Sequence, residues 1–96
     1  MSALVVGVLE VRMRVRASRS LKEKRKVVRG IKDRMRARYN VSVAEHDDQD
    51  LWQALSLGFA MAGSDRVKVA SDLNEILRHL TMHPEAEMLE HDLEID

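Results

Sequence analysis

The apolar pattern of the first forty residues changes period once, and that change restricts the fold more than any other feature. Val5, Gly7, Leu9, Val11, Met13 and Val15 alternate with Val6, Val8, Glu10, Arg12, Arg14 and Arg16, which is the two-residue repeat of a strand over residues 4–16. Both sets are apolar in their first half, as in a central strand. After a short loop at Ala17-Ser18-Arg19, the residues Leu21, Val28, Ile31 and Met35 recur at helical spacing. Ser20-Leu21-Lys22-Glu23 reads as a capping box: the serine hydroxyl accepts from the Glu23 N–H and the Glu23 side chain reaches back. Asn40 is placed to end the helix in the left-handed conformation.

The same logic carries on down the chain. Val41–Glu45 reads as a strand, His46–Asp50 as a polar turn, and Leu51–Ala62 as a third strand. That strand has Leu55, Leu57, Phe59 and Met61 on its core face and Trp52, Ala54, Ser56, Gly58 and Ala60 on the other. Gly63-Ser64-Asp65 supplies two N-cap candidates for a second helix. The helix uses Val69, Leu73, Ile76, Leu77 and Leu80, runs to about His83 and stops at Pro84. Residues 86–95 read as a last strand with Leu89, Leu93 and Ile95 inward and Glu90, Asp92 and Glu94 outward. His91, on the inward parity, is expected to be half-buried at the edge. Ninety-six residues support one core, so residues 1–96 form a single domain. The order β-α-β-β-α-β with right-handed crossovers predicts an α+β, ferredoxin-like sandwich. Its antiparallel sheet has the order 4-1-3-2, both helices cover one face, and the other face is open. A swapped or differently ordered sheet is the rival arrangement.

Charge is balanced overall and divided along the chain. Residues 1–40 hold thirteen bases and three acids, or +10; residues 41–96 hold three bases and thirteen acids, or −10. Such a division points to an anionic partner, nucleic acid among them, or to head-to-tail self-association. Arg25, Arg29, Lys32 and Arg36 form one helical stripe about 16 Å long, widened by Lys22 and Lys26, which is long enough to track several phosphates. Arg19 and the free N–H groups at the helix start extend it. The plainer account is a solvated helix face. Arg12 and Arg14 have a structural reading, because Glu90, Asp92 and Glu94 would share the open face with them as cross-strand pairs.

The open face lacks the aromatics on which an RNA-recognition-motif sheet stacks bases. Val6, Val8, Trp52, Ala54 and Ala60 make it a candidate interface for a homodimer. Trp52, the only tryptophan, is expected to pack partly buried rather than to anchor a partner. His79 and His83 lack the H-E-x-x-H pattern, and His46-Asp47-Asp48-Gln49-Asp50 lacks the glycine and terminal glutamate of a calcium loop, so no metal site is expected. There is no cysteine, no glycine-rich phosphate loop and no nucleophile–base pairing. The chain is therefore expected to be neither an enzyme nor a cofactor carrier. The apolar run Ala3–Leu9 is too short to span a membrane and lacks the flanks of a signal peptide, which fits a cytoplasmic protein without a membrane partner.

Ser20-Leu21-Lys22-Glu23-Lys24-Arg25 after a strand, Asn40-Val41-Ser42-Val43-Ala44-Glu45, Gln49-Asp50-Leu51-Trp52-Gln53 and the His83-Pro84-Glu85-Ala86-Glu87 turn resemble the YlxP-like family of small bacterial proteins. The resemblance covers essentially the whole chain. It implies a ferredoxin-like fold in a bacterial cytosolic protein of a family with no agreed activity. The family's genes tend to lie near those for transcription elongation, translation initiation and ribosome maturation. It carries over no catalytic residues. Taken together, the expectation is an RNA- or ribosome-associated protein that binds through its basic first helix. The alternative is a homo-oligomeric structural or regulatory module; a small-ligand domain formed between dimer-related helices is a third class.

Overall fold

A computed structural model describes residues 3–16, 18–47 and 49–96. Ala17 of the first loop and Asp48 of the polar turn lie outside the described residues. The elements are β1 (Val5–Val15), α1 (Leu21–Arg38), β2 (Ser42–His46), β3 (Ala54–Gly63), α2 (Arg66–Thr81) and β4 (Ala86–Ile95). They form one antiparallel sheet in the order β2-β3-β1-β4, which is the ferredoxin-like order read from the other edge.

Strand parity is the reason the sheet has a wet and a dry side. In β1 every odd residue from Gly7 to Val15 is buried and every even one is exposed. Leu55, Leu57, Phe59 and Met61 of β3 take the same side. They meet Val28, Ile31 and Met35 of α1 and Val69, Leu73, Ile76 and Leu80 of α2 in one continuous core. Each of the larger side chains contributes about 1.5–3 kcal/mol by leaving water. Gly7 is required by close approach: a Cβ there would lie 2.5 Å from Leu73 Cδ1 and 2.9 Å from Val69 Cγ1. α2 can press against β1 only where the strand has no side chain.

Several boundaries and side-chain placements differ from the sequence reading. β3 begins at Ala54, so Leu51, Trp52 and Gln53 form a loop and not the first turn of the strand. α1 ends in an extended Tyr39 (φ −129°), whose N–H still reaches the Met35 carbonyl. Asn40 is not left-handed; its amide instead donates to the Ala62 carbonyl at 3.1 Å. Asp47 is the only non-glycine with positive φ among the described residues (40°). α2 is capped by Asp65, which accepts from the Val67 and Lys68 N–H groups, and it ends at Thr81, before His83.

The last strand contains an irregularity that parity could not foresee. Its register shifts between Arg12 and Met13: Glu90 faces Arg12, Met88 faces Met13, and Leu89 is the extra residue. Leu89 therefore turns outward, 38% exposed, while Ala86 and Met88 take the inward positions before it. Leu93 and Ile95 point inward as expected. His91 is exposed and not half-buried, because it sits on the sheet edge opposite Val11.

Candidate anion-binding surface

The start of α1 is held by reciprocal bonds. Ser20 Oγ accepts from the Glu23 N–H at 3.1 Å, and Glu23 Oε2 accepts from the Arg19 N–H at 2.7 Å, one residue before the expected donor. The buried Ser18 donates its hydroxyl to the Ser20 carbonyl at 3.1 Å. The buried stripe of the helix is Lys24, Val28, Ile31 and Met35. Lys24 is fully buried, among the larger side chains of the core in the described residues. Its ammonium lies 3.3 Å from Glu45 Oε2 of β2 and donates to the carbonyls of Gln49 at 3.2 Å and Ala54 at 3.0 Å. A cation in the core is retained only when paired and hydrogen-bonded, and Lys24 is both. It locks the β2–β3 connection onto the helix.

The helical turn of 100° per residue separates the predicted anion-binding residues into two groups. Arg25, Arg29, Lys32 and Arg36 do form a stripe, on the flank that meets β2. Arg36 there is already engaged, donating Nη2 to the Val43 carbonyl at 3.0 Å along the edge strand. Lys32 is half-buried. Arg19, Lys22, Arg25, Lys26 and Arg29 are exposed. Among the described residues none of these five bases, nor Lys32, forms an ion pair.

The opposite flank of α1 carries a feature that stripe reasoning missed. Lys26, Gly30 and Arg34 fall four residues apart and line a cleft of about 510 Å³ together with Arg16, Ser18, Glu23, His83 and Glu85. The cleft exists because the Arg16 N–H donates to the Glu85 carbonyl at 2.8 Å, which draws the α2–β4 turn to the end of β1. Gly30 leaves its floor open: a Cβ there would have nothing within 4 Å. Buried His83 accepts the Glu85 N–H on Nδ1 at 3.0 Å, so a neutral ring carries its proton on Nε2. Burial lowers its pKa below the usual histidine value, the Arg34 guanidinium lowers it further, and Glu85 opposes both. Arg16, Lys26 and Arg34 thus share the cleft with the His83 imidazole and the carboxylates of Glu23 and Glu85, an excess of one base over the acids. The regular spacing of Lys26, Gly30 and Arg34 was visible in sequence; the approach of the turn was not. Among the described residues no cluster of His, Cys, Asp or Glu is arranged to hold a metal.

The open face is ordered in rows by the register. Ala62 pairs with Val6, Ala60 with Val8, Gly58 with Glu10, Ser56 with Arg12 and Ala54 with Arg14. Across the other side of β1, Glu94 faces Val8, Asp92 faces Glu10 and Glu90 faces Arg12. Of the three expected acidic partners only Glu90 thus lies opposite an arginine. The bulge gives Arg14 a different one, Glu87, at 3.8 Å. Val6, Val8 and Ala60 are exposed and Ala54 is half-buried. Trp52 is 54% exposed, which corrects the expectation of a packed tryptophan. Its loop placement turns the ring outward, and it lines an open groove of about 570 Å³ with Arg12, Arg14, Leu51, Gln53, Ala54 and Leu89.

Comparison with known proteins agrees with the motif pattern. A family model described as a protein of unknown function, DUF503, matches residues 6–93. The chain belongs to the DUF503 family. It is 36% identical over 83 residues to the uncharacterized protein YlxP of Bacillus subtilis (strain 168), a match covering 86% of this chain and 90% of that one. Among solved structures this DUF503 chain is similar to SnoaB, a cofactor-independent oxygenase from Streptomyces nogalater. That likeness has a TM-score of 0.55 at 16% identity and covers 94% of this chain and 90% of SnoaB. It is also similar to the de novo designed protein Foldit4, with a TM-score of 0.50 at 16% identity, covering 95% and 96% of the two chains. At these identities the likeness shows the fold alone. No described helix is long and apolar enough to cross a membrane.

Proposed function

We propose that this DUF503 protein is a non-enzymatic, cytoplasmic RNA- or ribonucleoprotein-associated protein, linked to ribosome maturation or translation, that binds sugar–phosphate backbone through α1. The observation that carries the reading is the absence of acidic partners for Lys22, Arg25, Lys26 and Arg29 among the described residues, beside a cleft rimmed by Arg16 and Arg34. The β1 arginines, by contrast, face acids on β4. Cations without intramolecular partners release counterions when they meet phosphate, which gives affinity with little sequence preference. The alternative is a homo-oligomeric interaction module without nucleic-acid binding, favoured by the exposed apolar residues of the open face.

The test is fluorescence anisotropy with a labelled single-stranded RNA over a salt series. Replacing Arg25, Lys26 and Arg29 together by Glu is expected to remove binding at low salt. Their neutral Gln counterparts are expected to flatten the logarithmic salt dependence by about two, at about 0.7 per lost phosphate contact. Arg36 is left intact, since it is bound to β2. Equal affinity for the parent and the Glu variant at low salt would remove the reading.

A further inference from the structure

We infer that the cleft between α1 and the α2–β4 turn binds a single nucleotide, with its phosphate on Arg16, Lys26 and Arg34 and its ribose hydroxyls donating to Glu85. The inference goes beyond the backbone reading of α1, because Arg25 and Arg29 do not line the cleft. Three observations support it.

The first is Gly30. It stands in the middle of α1, where glycine is among the poorest helix formers. No packing contact asks for it, since a Cβ there would have nothing within 4 Å. The residue is nevertheless half-buried, so its bare backbone faces a walled space and not open solvent. Glycine at such a point lets a ligand approach the backbone closely. Lys26 and Arg34 lie one turn to either side, about 12 Å apart along the axis, and flank an occupant placed over Gly30.

The second is the balance of donors and acceptors. Arg16, Lys26 and Arg34 form no ion pair among the described residues. His83 accepts the Glu85 N–H on Nδ1, which leaves Nε2–H as a further donor without a protein acceptor. That nitrogen is not sealed in: the buried side-chain atoms without a partner among the described residues are Glu45 Oε2 and His46 Nε2. Against these donors stand two carboxylates, and Glu23 already accepts the Arg19 N–H at 2.7 Å. An excess of one base fits an anion, and the Glu85 carboxylate is matched by a ligand that carries donors of its own. A phosphate ester of a hydroxylated sugar meets both conditions, whereas inorganic phosphate meets only the first.

The third is size and lining. The cleft holds about 510 Å³, inside the range of roughly 300–1,000 Å³ of small-ligand sites. A bare phosphate would leave most of it empty. Val15 and Val27 supply an apolar wall for the base beside the charged groups.

Nuclear magnetic resonance of the ¹⁵N-labelled protein, titrated in turn with the four ribonucleoside 5′-monophosphates, tests it. At least one is expected to shift the Gly30, Arg34 and His83 amides with a dissociation constant below about a millimolar. No saturable shift of these amides with any of the four overturns the inference. The matching nucleoside and inorganic phosphate should each bind about tenfold more weakly or worse. Either one binding as tightly as the monophosphate also overturns it. Gly30→Leu fills the cleft and improves the helix, so it should melt no lower than the parent and weaken the nucleotide about tenfold or more. Arg34→Gln should weaken it similarly, and parental affinity in either folded variant refutes the site. Arg25→Gln/Arg29→Gln should lose RNA affinity yet hold the mononucleotide within about threefold, which separates this site from the backbone reading. Loss of the mononucleotide there would move it to the exposed stripe and overturn the cleft. A 5′-phosphorylated oligoribonucleotide that shifts the same amides at lower concentration names an RNA end as the source; the mononucleotide acting alone names a free nucleotide.

Discussion

Replacing Lys24 by Met should destabilise the protein strongly although it keeps the size of the side chain. The side chain is fully buried, so the substitution keeps the volume and the stem packing and deletes only the charged end. What remains is a Glu45 carboxylate, 16% exposed, without the ammonium 3.3 Å away, and the Gln49 and Ala54 carbonyls without a donor they now share. Removing one member of a buried pair costs about 3–5 kcal/mol, and the partial exposure of Glu45 lets water recover some of that. The expected loss is about 3 kcal/mol. For a domain of this size that lowers the melting temperature by roughly 12–24 °C.

Urea denaturation followed by Trp52 fluorescence and, in parallel, by far-ultraviolet circular dichroism reads this directly. Trp52 reports on the β2–β3 connection that Lys24 holds, and the dichroism reports on the helices. Adding Glu45→Leu to Lys24→Met removes the orphaned carboxylate and should recover part of the loss. It cannot recover all of it, since the two backbone carbonyls stay unpaired. A Lys24→Met protein within 1 kcal/mol of the parent would refute the reasoning (an effect about the size of one ordinary hydrogen bond). So would a double variant that is less stable than the single one.

Two further outcomes follow from the packing. Gly7→Ala puts a methyl group within 2.5 Å of Leu73 Cδ1 and 2.9 Å of Val69 Cγ1, so α2 must shift; the expected cost is about 1–3 kcal/mol by denaturation, and a neutral result would mean that α2 moves freely on β1. The lowered pKa of His83 ties stability to pH: the unfolded ring takes up a proton before the folded one, so the stabilising effect is complete above the unfolded value of about 6.5 and is lost as pH falls from there through the folded value. His83→Gln should flatten the decline of the urea midpoint over that window, and an equal slope in the variant would assign the decline to other groups.

Local patterns carried most of the architecture, and the exceptions are all places where a tertiary contact overrode a local rule. The parity of β1 and the Ser20 cap are set within a few residues, so both were legible. Leu89 was not, because one inserted residue reverses the parity before it and no turn or glycine marks the spot. Asn40 has the composition of a left-handed cap, but an extended Tyr39 and a bond from the Asn40 amide to Ala62 satisfy the chain differently. Lys24 stood in plain view, four residues before Val28 on the apolar stripe. A charged side chain at that position gives no sign of burial by itself, and only the position of Glu45 across the fold makes it a core residue. Arg34 lies on the other flank from Arg25 and Arg29, outside the stripe that helical spacing picks out. Its importance comes from the α2–β4 turn, which the sequence places nowhere near α1.

The strand order explains why a chain with an evenly divided charge should keep one cationic surface. β1 is basic and β4 is acidic, and the sheet makes them neighbours, so Arg12 faces Glu90 and Arg14 meets Glu87. The acidic end of β2 is likewise engaged by Lys24 through Glu45. On α2, Asp72 pairs with Lys68 of its own helix, and Glu75 accepts the Tyr39 hydroxyl. Each acidic element thus meets a base or a donor already within its reach. α1 lies against β2 at one flank and the α2–β4 turn at the other, and among the described residues neither forms an ion pair with Lys22, Arg25, Lys26 or Arg29, although Glu85 of the turn lines the Lys26 cleft. The neutral total is therefore the sum of a compensated sheet, with acids in excess along β4, and an uncompensated helix on the opposite side. Reversing the order of β1 and β3 in the same sequence would separate Arg12 and Arg14 from their acids and spread positive charge over both faces. The observed order keeps the bases that lack ion pairs among the described residues on the α1 side.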